Sequence, residues 1–418
     1  MEACRMNSIF KLPLVLDGAT GTNLMRAGMP SGICAEQWII DNPQALTELQ
    51  RAYAQAGSDA VMAPTFEANR YKLSKFGKGD KVKELNRQLV AISRAAVGDG
   101  VLVAGDVSPT GLFIEPFGDT TFDELTEIYR EQAFALLEAG VDYIAIETMM
   151  SLTEARAALL AAKETGLPVT VTLTVDKSCR TLSGGDSTAA LVTLAAMGAD
   201  AVGINCSTGP DIVLRALRGA SPYLNLPLIA KPNAGLPREG EPGAYDITPE
   251  QFAAYLPELL KLGAGFVGGC CGSTPAHIRL LKETIGKAEF SANNCEAALN
   301  EGDGILAADE RHVFQINEQD LAQASLLACD DGLAEGLTAL NDEDAVAVRI
   351  NIKDEAGADE FVQCAYLATM PLILESDSAQ LLEAALKVYQ GRALLNSHCG
   401  IKSDKLNELA SRFGAALI

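Results

Sequence analysis

Eight short apolar runs, each separated from the next by a helical pattern, fill the first two thirds of this chain. Each has the length and β-branched content of a buried strand: Leu14–Leu16, Ala60–Ala63, Val101–Ala104, Tyr143–Ile146, Val169–Val175, Ala201–Ile204, Leu226–Ala230 and Gly265–Val267. The segments between them have helical periodicity, with Leu125, Tyr129 and Leu136 on one face. Eight strands alternating with helices over about 250 residues predict a (β/α)8 TIM barrel. An open doubly wound sheet is the alternative, although no G-x-G-x-x-G follows the first strand.

Beyond the predicted barrel, the alternation stops and then resumes. We assign residues 1–287 to the barrel and residues 288–310, which are rich in Asn, Gly and acidic side chains, to a linker. In residues 311–418, the strand-like runs AVAVRINI, PLILES, RALLNS and AALI alternate with helical patterns near 357–368, 379–389 and 403–412. This part is too short for a complete barrel. We therefore expect a partial, half-barrel-like α/β segment with an open sheet edge.

Composition excludes several classes of function. The formal net charge of -22 repels phosphate backbones and anionic lipid, so neither nucleic-acid binding nor membrane-surface binding is expected. The first 18 residues lack a signal-peptide pattern, and no apolar run is long enough to span a membrane. We therefore expect a cytoplasmic protein. Its ten cysteines are irregularly spaced, which favours metal binding or catalysis over a disulfide framework.

Three cysteines follow two of the predicted barrel strands. Cys206 ends the sixth strand, and Cys270 and Cys271 follow the eighth. The carboxyl ends of barrel strands converge on one mouth, and three thiolates suit Zn²⁺ with a fourth tetrahedral position open. A thiol that enters this position would be deprotonated by the metal. From the residues alone, a buried Cys206 beside an incidental vicinal pair is also open, because free cysteines are commonly buried.

Other strand ends carry acidic side chains. Asp17 follows the first strand, and Glu147 ends the apolar run of the fourth. Two such carboxylates could hold an ammonium group through charge-assisted hydrogen bonds. Backbone N–H groups from Gly18 to Gly21 could hold a carboxylate. Asp17 could instead be a turn residue, whereas Glu147 needs a partner. We interpret His277 as packing at a helix start, not as a metal ligand.

Seven segments in order along residues 12–285 carry a family resemblance. VLDGATGTNL, PTFEANRYKL, GDVSPTG, YIAIETM, GINCSTGP, KPNAGLP and GGCCGSTPAHI resemble the homocysteine S-methyltransferase family. Within that family, they are most similar to the homocysteine module of cobalamin-dependent methionine synthases. The pairing of GINC with GGCCG is the specific signal. One segment departs, because many relatives carry Asn between two threonines where this chain has Ala63-Pro64-Thr65, which alters the rim after strand two.

The resemblance implies a role for each matching position. It makes Cys206, Cys270 and Cys271 the zinc ligands and the catalytic centre. The positions that it implies for homocysteine binding are Asp17, Gly18, Glu147 and Asn233. It further implies that Asn233 fills the fourth zinc position when the substrate is absent.

The C-terminal segment resembles a different module. From MPLILES onward it is similar to part of the pterin-binding barrel of methionine synthases, with Glu375 where relatives usually have Asp and Asn396 at a pterin-contacting position. The opening pattern and the C-terminal half of that barrel are missing. We therefore expect either a shortened protein or a degenerate, non-catalytic folate module. The chain has no cobalamin-binding D-x-H-x-x-G, so a methylcorrinoid would come either from missing sequence or from a separate corrinoid protein.

The sequence thus predicts zinc-dependent methyl transfer to the thiol of homocysteine, giving methionine, with a methylcorrinoid (cobalamin) donor supplied in trans. The first alternative is an onium donor such as S-methylmethionine or a betaine. The second is a non-catalytic scaffold with a structural zinc. The third is a redox or metal-handling protein that uses the Cys270–Cys271 pair.

Overall fold

The structure is a computed structural model that describes residues 9–115, 117–238, 244–292, 304–343 and 345–418. The chain forms two compact units. The first comprises residues 1–112, 123–183 and 199–294, and the second comprises residues 113–122, 184–198 and 295–418. Cys4, Cys295 and much of the predicted linker at 288–310 lie outside the described residues. The domain bounds that we expected from the sequence therefore stay a prediction.

The first unit contains eight parallel strands. They are β1 (Leu14–Val15), β2 (Ala60–Ala63), β3 (Leu102–Val107), β4 (Tyr143–Met149), β5 (Val169–Leu173), β6 (Ala201–Cys206), β7 (Leu228–Pro232) and β8 (Ala264–Val267). They form one sheet in the order β1-β8-β7-β6-β5-β4-β3-β2, which is a nearly closed barrel. The predicted (β/α)8 TIM-barrel fold is confirmed. Four strands extend beyond their predicted ends and so carry Asp106, Glu147, Cys206 and Lys231 within the sheet.

The segments between these strands are largely helical. Their helices are α1 (Gly21–Arg26), α2 (Ala35–Asp41), α3 (Pro43–Ala56), α4 (Arg70–Ser74), α5 (Val82–Val97), α6 (Phe122–Ala139), α7 (Leu152–Lys163), α8 (Ser187–Ala196), α9 (Pro210–Ala220), α10 (Pro249–Ala253), α11 (Leu256–Lys261) and α12 (Pro275–Ile285). Polar caps set several starts: Asn69, Ser151 and Thr248 accept hydrogen bonds from first-turn N–H groups of α4, α7 and α10.

The interior of the barrel changes from apolar to charged along its axis. At the amino end, the ring of Phe10 meets Tyr143 and Phe266 edge-on, at centroid distances of 5.3 and 4.9 Å. Side chains two residues apart on a strand share a face, so Tyr143, Ala145 and Glu147 face the same side, in this order from the amino end toward the mouth. The apolar floor therefore supports a charged layer near the mouth.

Carboxylates help to join β1 to β2, the two strands at the ends of the sheet order. Asp59 N donates to Val15 O at 2.6 Å, and Val15 N donates to Asp59 Oδ2 at 2.9 Å. Nearer the carboxyl ends of the same two strands, Met62 N donates to Asp17 Oδ2 at 2.9 Å. The same junction that closes the barrel therefore fixes the orientation of Asp17.

The second unit contains an antiparallel pair and a parallel sheet. The pair is β9 (Ile305–Ala308) with β10 (Val313–Ile316), and the sheet has the order β11 (Ser325–Ala328), β12 (Val348–Asn351), β13 (Leu372–Glu375), β14 (Leu394–Leu395) and β15 (Ala416–Leu417). Its helices include Glu318–Ala322, Leu333–Asp342, Glu355–Cys364, Ala379–Val388 and Ser403–Phe413. The partial α/β segment that we predicted is confirmed. The β9–β10 hairpin was not predicted; its Ala307 and Ile316 pack in one core cluster with Ile373 and Leu394.

We predict that Asp59→Ala lowers the free energy of unfolding by about 1–2 kcal/mol, because the buried N–H of Val15 loses its acceptor. The control is Lys282→Met. Lys282 Nζ pairs with Asp59 at 2.8 Å on the surface, and its methylene stem lies against Gly57. The control keeps the stem and should cost less than about 1 kcal/mol. Urea unfolding followed by circular dichroism measures both, and equal losses would contradict the role of the Val15 hydrogen bond.

Candidate active site

Three thiols meet at the carboxyl end of the barrel. Cys206 is the last residue of β6, and Cys270 and Cys271 follow β8. Their sulfur atoms all lie within 4.8 Å of one another. In a tetrahedral site with Zn–S bonds of about 2.3 Å, ligand sulfur atoms lie about 3.8 Å apart. Small rotations of the side chains would therefore bring these three sulfur atoms into zinc geometry.

Strand β7 holds the thiols together from between β6 and β8. Asn233 N donates to Cys206 O at 3.1 Å, Cys270 N donates to Pro232 O at 2.7 Å, and Ala234 N donates to Cys271 O at 2.9 Å. Cys206 itself has a left-handed φ of 54°, which is uncommon for a side chain with a Cβ. This backbone conformation directs the sulfur of Cys206 toward those of Cys270 and Cys271.

The three neighbouring thiols have raised pKa values. The pKa of Cys206 is raised to about 11: a hydrogen bond with Cys270 lowers it, but a hydrogen bond with Cys271 and burial raise it more. The pKa of Cys271 is raised to about 12. The hydrogen bond with Cys206 lowers this pKa, but the hydrogen bond with Cys270 and burial raise it more. Clustered buried thiols become thiolates only when a positive charge compensates them. A set of three sulfur donors fits Zn²⁺.

Asn233 places an amide beside the thiols. Its Nδ2 donates to Ser207 O at 2.6 Å, while its buried Oδ1 has no hydrogen-bond partner among the described residues. A buried amide oxygen without a donor is costly. An oxygen of this kind is a suitable fourth ligand for a metal held by the three sulfur atoms.

Tyr245 borders the thiols on another side. No sequence motif predicted a tyrosine at this position of the site. A Cβ at Gly272 would lie 2.1 Å from Tyr245 Cγ, and Gly272 has a φ of +81°, so only glycine fits beneath this ring. The phenol also forms a hydrogen bond with Cys271. Burial and the nearby thiols raise the pKa of Tyr245 to about 12, which keeps the phenol a donor at neutral pH.

A buried charge cluster lies beside the thiols in the barrel interior. Lys231 Nζ contacts both Oε1 and Oε2 of Glu147 at 2.8 Å and lies 3.9 Å from Asp17 Oδ1. Burial lowers the pKa of Lys231, but Glu147, Asp17 and Asp106 outweigh it and raise that pKa above its ordinary value. Burial raises the pKa of Asp17 to about 7, against the lowering effect of Lys231. The sequence pointed to Asp17 and Glu147 but not to Lys231, although a lysine that ends an apolar strand is a usable signal.

Gly18 is enclosed by neighbouring side chains. A Cβ at this position would lie 2.6 Å from Tyr53 Oη and 2.7 Å from Ser273 Oγ, so no larger residue fits. The next N–H, that of Ala19, donates to Ser273 Oγ at 3.0 Å. Of the backbone donors that we expected for a substrate carboxylate, Ala19 is thus already engaged.

His277 lies in the first turn of α12. Its ring nitrogen Nδ1 lies 3.0 Å from Thr274 Oγ1 and forms a capping box with that residue. Its ring packs edge-on against Phe252. The prediction that His277 packs at a helix start is confirmed.

The second unit brings together the two residues that resemble pterin contacts. Asn396 Nδ2 donates to Glu375 Oε1 at 2.7 Å, and Arg349 forms an ion pair with the same oxygen. Glu375 is therefore engaged by two residues of its own sheet.

No helix in the described part of the chain is both long enough and apolar enough to cross a bilayer.

The family model for homocysteine S-methyltransferase matches residues 14–285. Methionine synthase of Mycobacterium tuberculosis is 30% identical over 421 residues, which cover 92% of this chain and 35% of that protein. Methionine synthase of Mycobacterium leprae is 28% identical over 97% of this chain and 38% of its own length. The chain thus spans little more than a third of these relatives.

A solved structure is also similar. The metallated form of the homocysteine methyltransferase MmuM from Escherichia coli has a TM-score of 0.56 and 26% identity, over 65% of this chain and 96% of that one. The family match covers all eight barrel strands, Cys206 and the Cys270–Cys271 pair. This chain belongs to the homocysteine S-methyltransferase family.

Proposed function

We propose that this protein transfers a methyl group to the thiol of homocysteine, giving methionine. The observation that carries the proposal is the convergence of Cys206, Cys270 and Cys271 at the barrel mouth, with sulfur atoms within 4.8 Å of one another. Zinc held by these three residues would bind the substrate sulfur and keep it a thiolate at neutral pH. Family membership supports both the acceptor and the methyl-transfer chemistry.

The residues beside the thiols would hold the amino acid part of homocysteine. Asp17 and Glu147 lie in the buried charge cluster, where carboxylates favour the substrate ammonium. Gly18 would offer only its backbone to the substrate, because Tyr53 and Ser273 fill the space that a side chain would need. Asn233 would ligate zinc through Oδ1 until the substrate sulfur replaces it. The substrate would thus be fixed at both ends.

The transfer step needs an aligned nucleophile and little else from the protein. The substrate thiol gives up its proton to solvent water on binding, and its sulfur lone pair then forms a bond to the methyl carbon. The bond between that methyl group and the donor breaks, and its electron pair leaves with the donor. The protein's contribution is to hold the sulfur as a thiolate and to orient it toward the mouth.

We propose a methylcorrinoid, delivered in trans by a corrinoid protein, as the methyl donor. The likeness of this chain to two methionine synthases over nearly its whole length supports this choice. In the second unit, Arg349 and Asn396 already engage Glu375, which argues against productive pterin binding there.

We predict that Cys206→Ala yields a folded protein that has lost zinc and methyl transfer. The barrel should persist because the hydrogen bond between Cys206 and Asn233 uses the backbone carbonyl of Cys206, which alanine keeps. Zinc per chain, measured by plasma mass spectrometry after dialysis, should fall from about one to near zero, since two thiolates hold zinc poorly. Near-ultraviolet circular dichroism should stay native.

The matched control is Cys399→Ala, a cysteine of the second unit, which should keep both zinc and activity. Unfolding of the Cys206 variant would favour a structural zinc scaffold. Retained zinc would exclude the three-sulfur site.

The donor is tested directly by incubating the zinc-loaded protein and homocysteine with methylcobalamin, S-methylmethionine or glycine betaine. We expect methionine, quantified by mass spectrometry, from methylcobalamin alone, because the chain is similar to methionine synthases over nearly its whole length. Methionine from either onium compound without the corrinoid would overturn the donor assignment but leave the acceptor site intact.

A further inference from the structure

The charges buried in the first unit do not balance. Three carboxyl groups, those of Asp17, Asp106 and Glu147, interact with the single ammonium of Lys231. All four side chains are at least nine-tenths buried, so solvent cannot compensate the excess. To be neutral, the cluster needs either at least one more positive charge or protons on its carboxyl groups.

Lys231 already has an ion-pair partner within this cluster. Its Nζ lies 2.8 Å from each oxygen of Glu147, a bidentate contact, and 3.9 Å from Asp17 Oδ1, which is beyond a hydrogen bond. Glu147 therefore has a full partner in the protein itself. The unmet demand for a donor lies on the two aspartates.

Each aspartate keeps one oxygen without a donor. Asp17 Oδ2 accepts from Met62 N, but Asp17 Oδ1 is buried and has no hydrogen-bond partner among the described residues. Asp106 Oδ1 is likewise buried and unpartnered in the part of the chain that the structure describes. Two such oxygens in one interior cluster point to a ligand that donates several hydrogen bonds and carries positive charge.

The position of Asp106 is built into the sheet. Asp106 N donates to Thr65 Oγ1 at 2.9 Å, and Thr65 Oγ1 donates to Asp106 O at 2.9 Å. Gln132 Nε2 in turn donates to Thr65 O at 2.8 Å. These contacts hold the backbone at the end of β3, and none of them engages the carboxyl group. The backbone at Asp106 is thus fixed, while Oδ1 of its carboxyl group has no hydrogen-bond partner among the described residues.

We propose that Asp106 binds the ammonium group of homocysteine together with Asp17, and so selects an acceptor thiol that carries an α-amino group. The inference rests on the proposed function and adds a residue to it. An ammonium has three N–H donors, and the open acceptors of this cluster are the two unpartnered aspartate oxygens and the lone pairs that Glu147 does not give to Lys231. The two cations then divide the three carboxylates between them.

The electrostatics of Asp106 agree with this geometry. Burial and then the charge of Glu147 raise the pKa of Asp106 well above its ordinary value, and Lys231 lowers it. The remaining charged neighbour, Asp17, raises it as well. A second ammonium would act in the direction of Lys231 and favour the carboxylate, so that binding of the amino group and ionisation of Asp106 support each other.

The test compares two thiols in the zinc-loaded full chain by isothermal titration calorimetry. L-homocysteine carries the amino group, and 4-mercaptobutanoate is the same molecule without it. The wild-type protein should prefer L-homocysteine. Asp106→Asn should weaken L-homocysteine binding by about 10- to 100-fold, the loss of a charge-assisted hydrogen bond, and leave 4-mercaptobutanoate binding unchanged. Asp99→Asn, at an exposed position, is the matched control and should change neither.

The outcomes separate the two levels of the proposal. If the wild-type protein binds neither thiol, the proposed function fails. If it prefers L-homocysteine and Asp106→Asn keeps the same preference, the role of Asp106 is overturned while the proposed function stands. Equal weakening of both thiols by Asp106→Asn would make Asp106 a structural residue and would also overturn the inference, because a merely structural role does not distinguish ligands by their amino group.

Discussion

Strand β7 is the element on which both halves of the site depend. It is hydrogen-bonded to β6 on one side and β8 on the other, and so brings Cys206 within reach of Cys270 and Cys271. The same strand carries Lys231 into the barrel, and Asn233 follows it beside the thiols. A change in its register would displace the sulfur cluster and the charge cluster together. The thiol end and the amino acid end of a substrate would therefore be held at a distance set by one short strand.

Uncompensated negative charge is the second constraint. Among the described residues, one lysine faces three acids in the carboxyl cluster, and the three thiols become negatively charged only when a cation joins them. Buried groups of this kind either retain protons or wait for a cation. Zinc and a substrate ammonium are two cations of suitable chemistry for two adjacent sites. The barrel floor below, formed by Phe10, Tyr143 and Phe266, is apolar and offers no competing partner except the unpartnered phenol of Tyr143.

The sequence predicted the barrel and the grouping of the three cysteines at one end of it, because the length, periodicity and order of strands are local signals. It did not predict which charged side chains would face each other. Lys231 pairs with Glu147 across 84 residues, and no spacing rule reports that contact. Asp106 lay just beyond the end of a predicted strand, where no pattern gave it a role, and Tyr245 follows a segment with no regular pattern. The hairpin of β9 and β10 was also not predicted, since two four-residue strands next to a polar stretch give little periodicity.

The most direct measurement is zinc K-edge X-ray absorption of the purified chain with and without L-homocysteine. We expect one zinc per chain, bound by three sulfur atoms and one oxygen or nitrogen ligand, and a rise to four sulfur ligands when homocysteine is added. A protein without zinc, or a zinc whose sulfur coordination does not change with homocysteine, would contradict the claim that these three cysteines form a catalytic thiol-binding site.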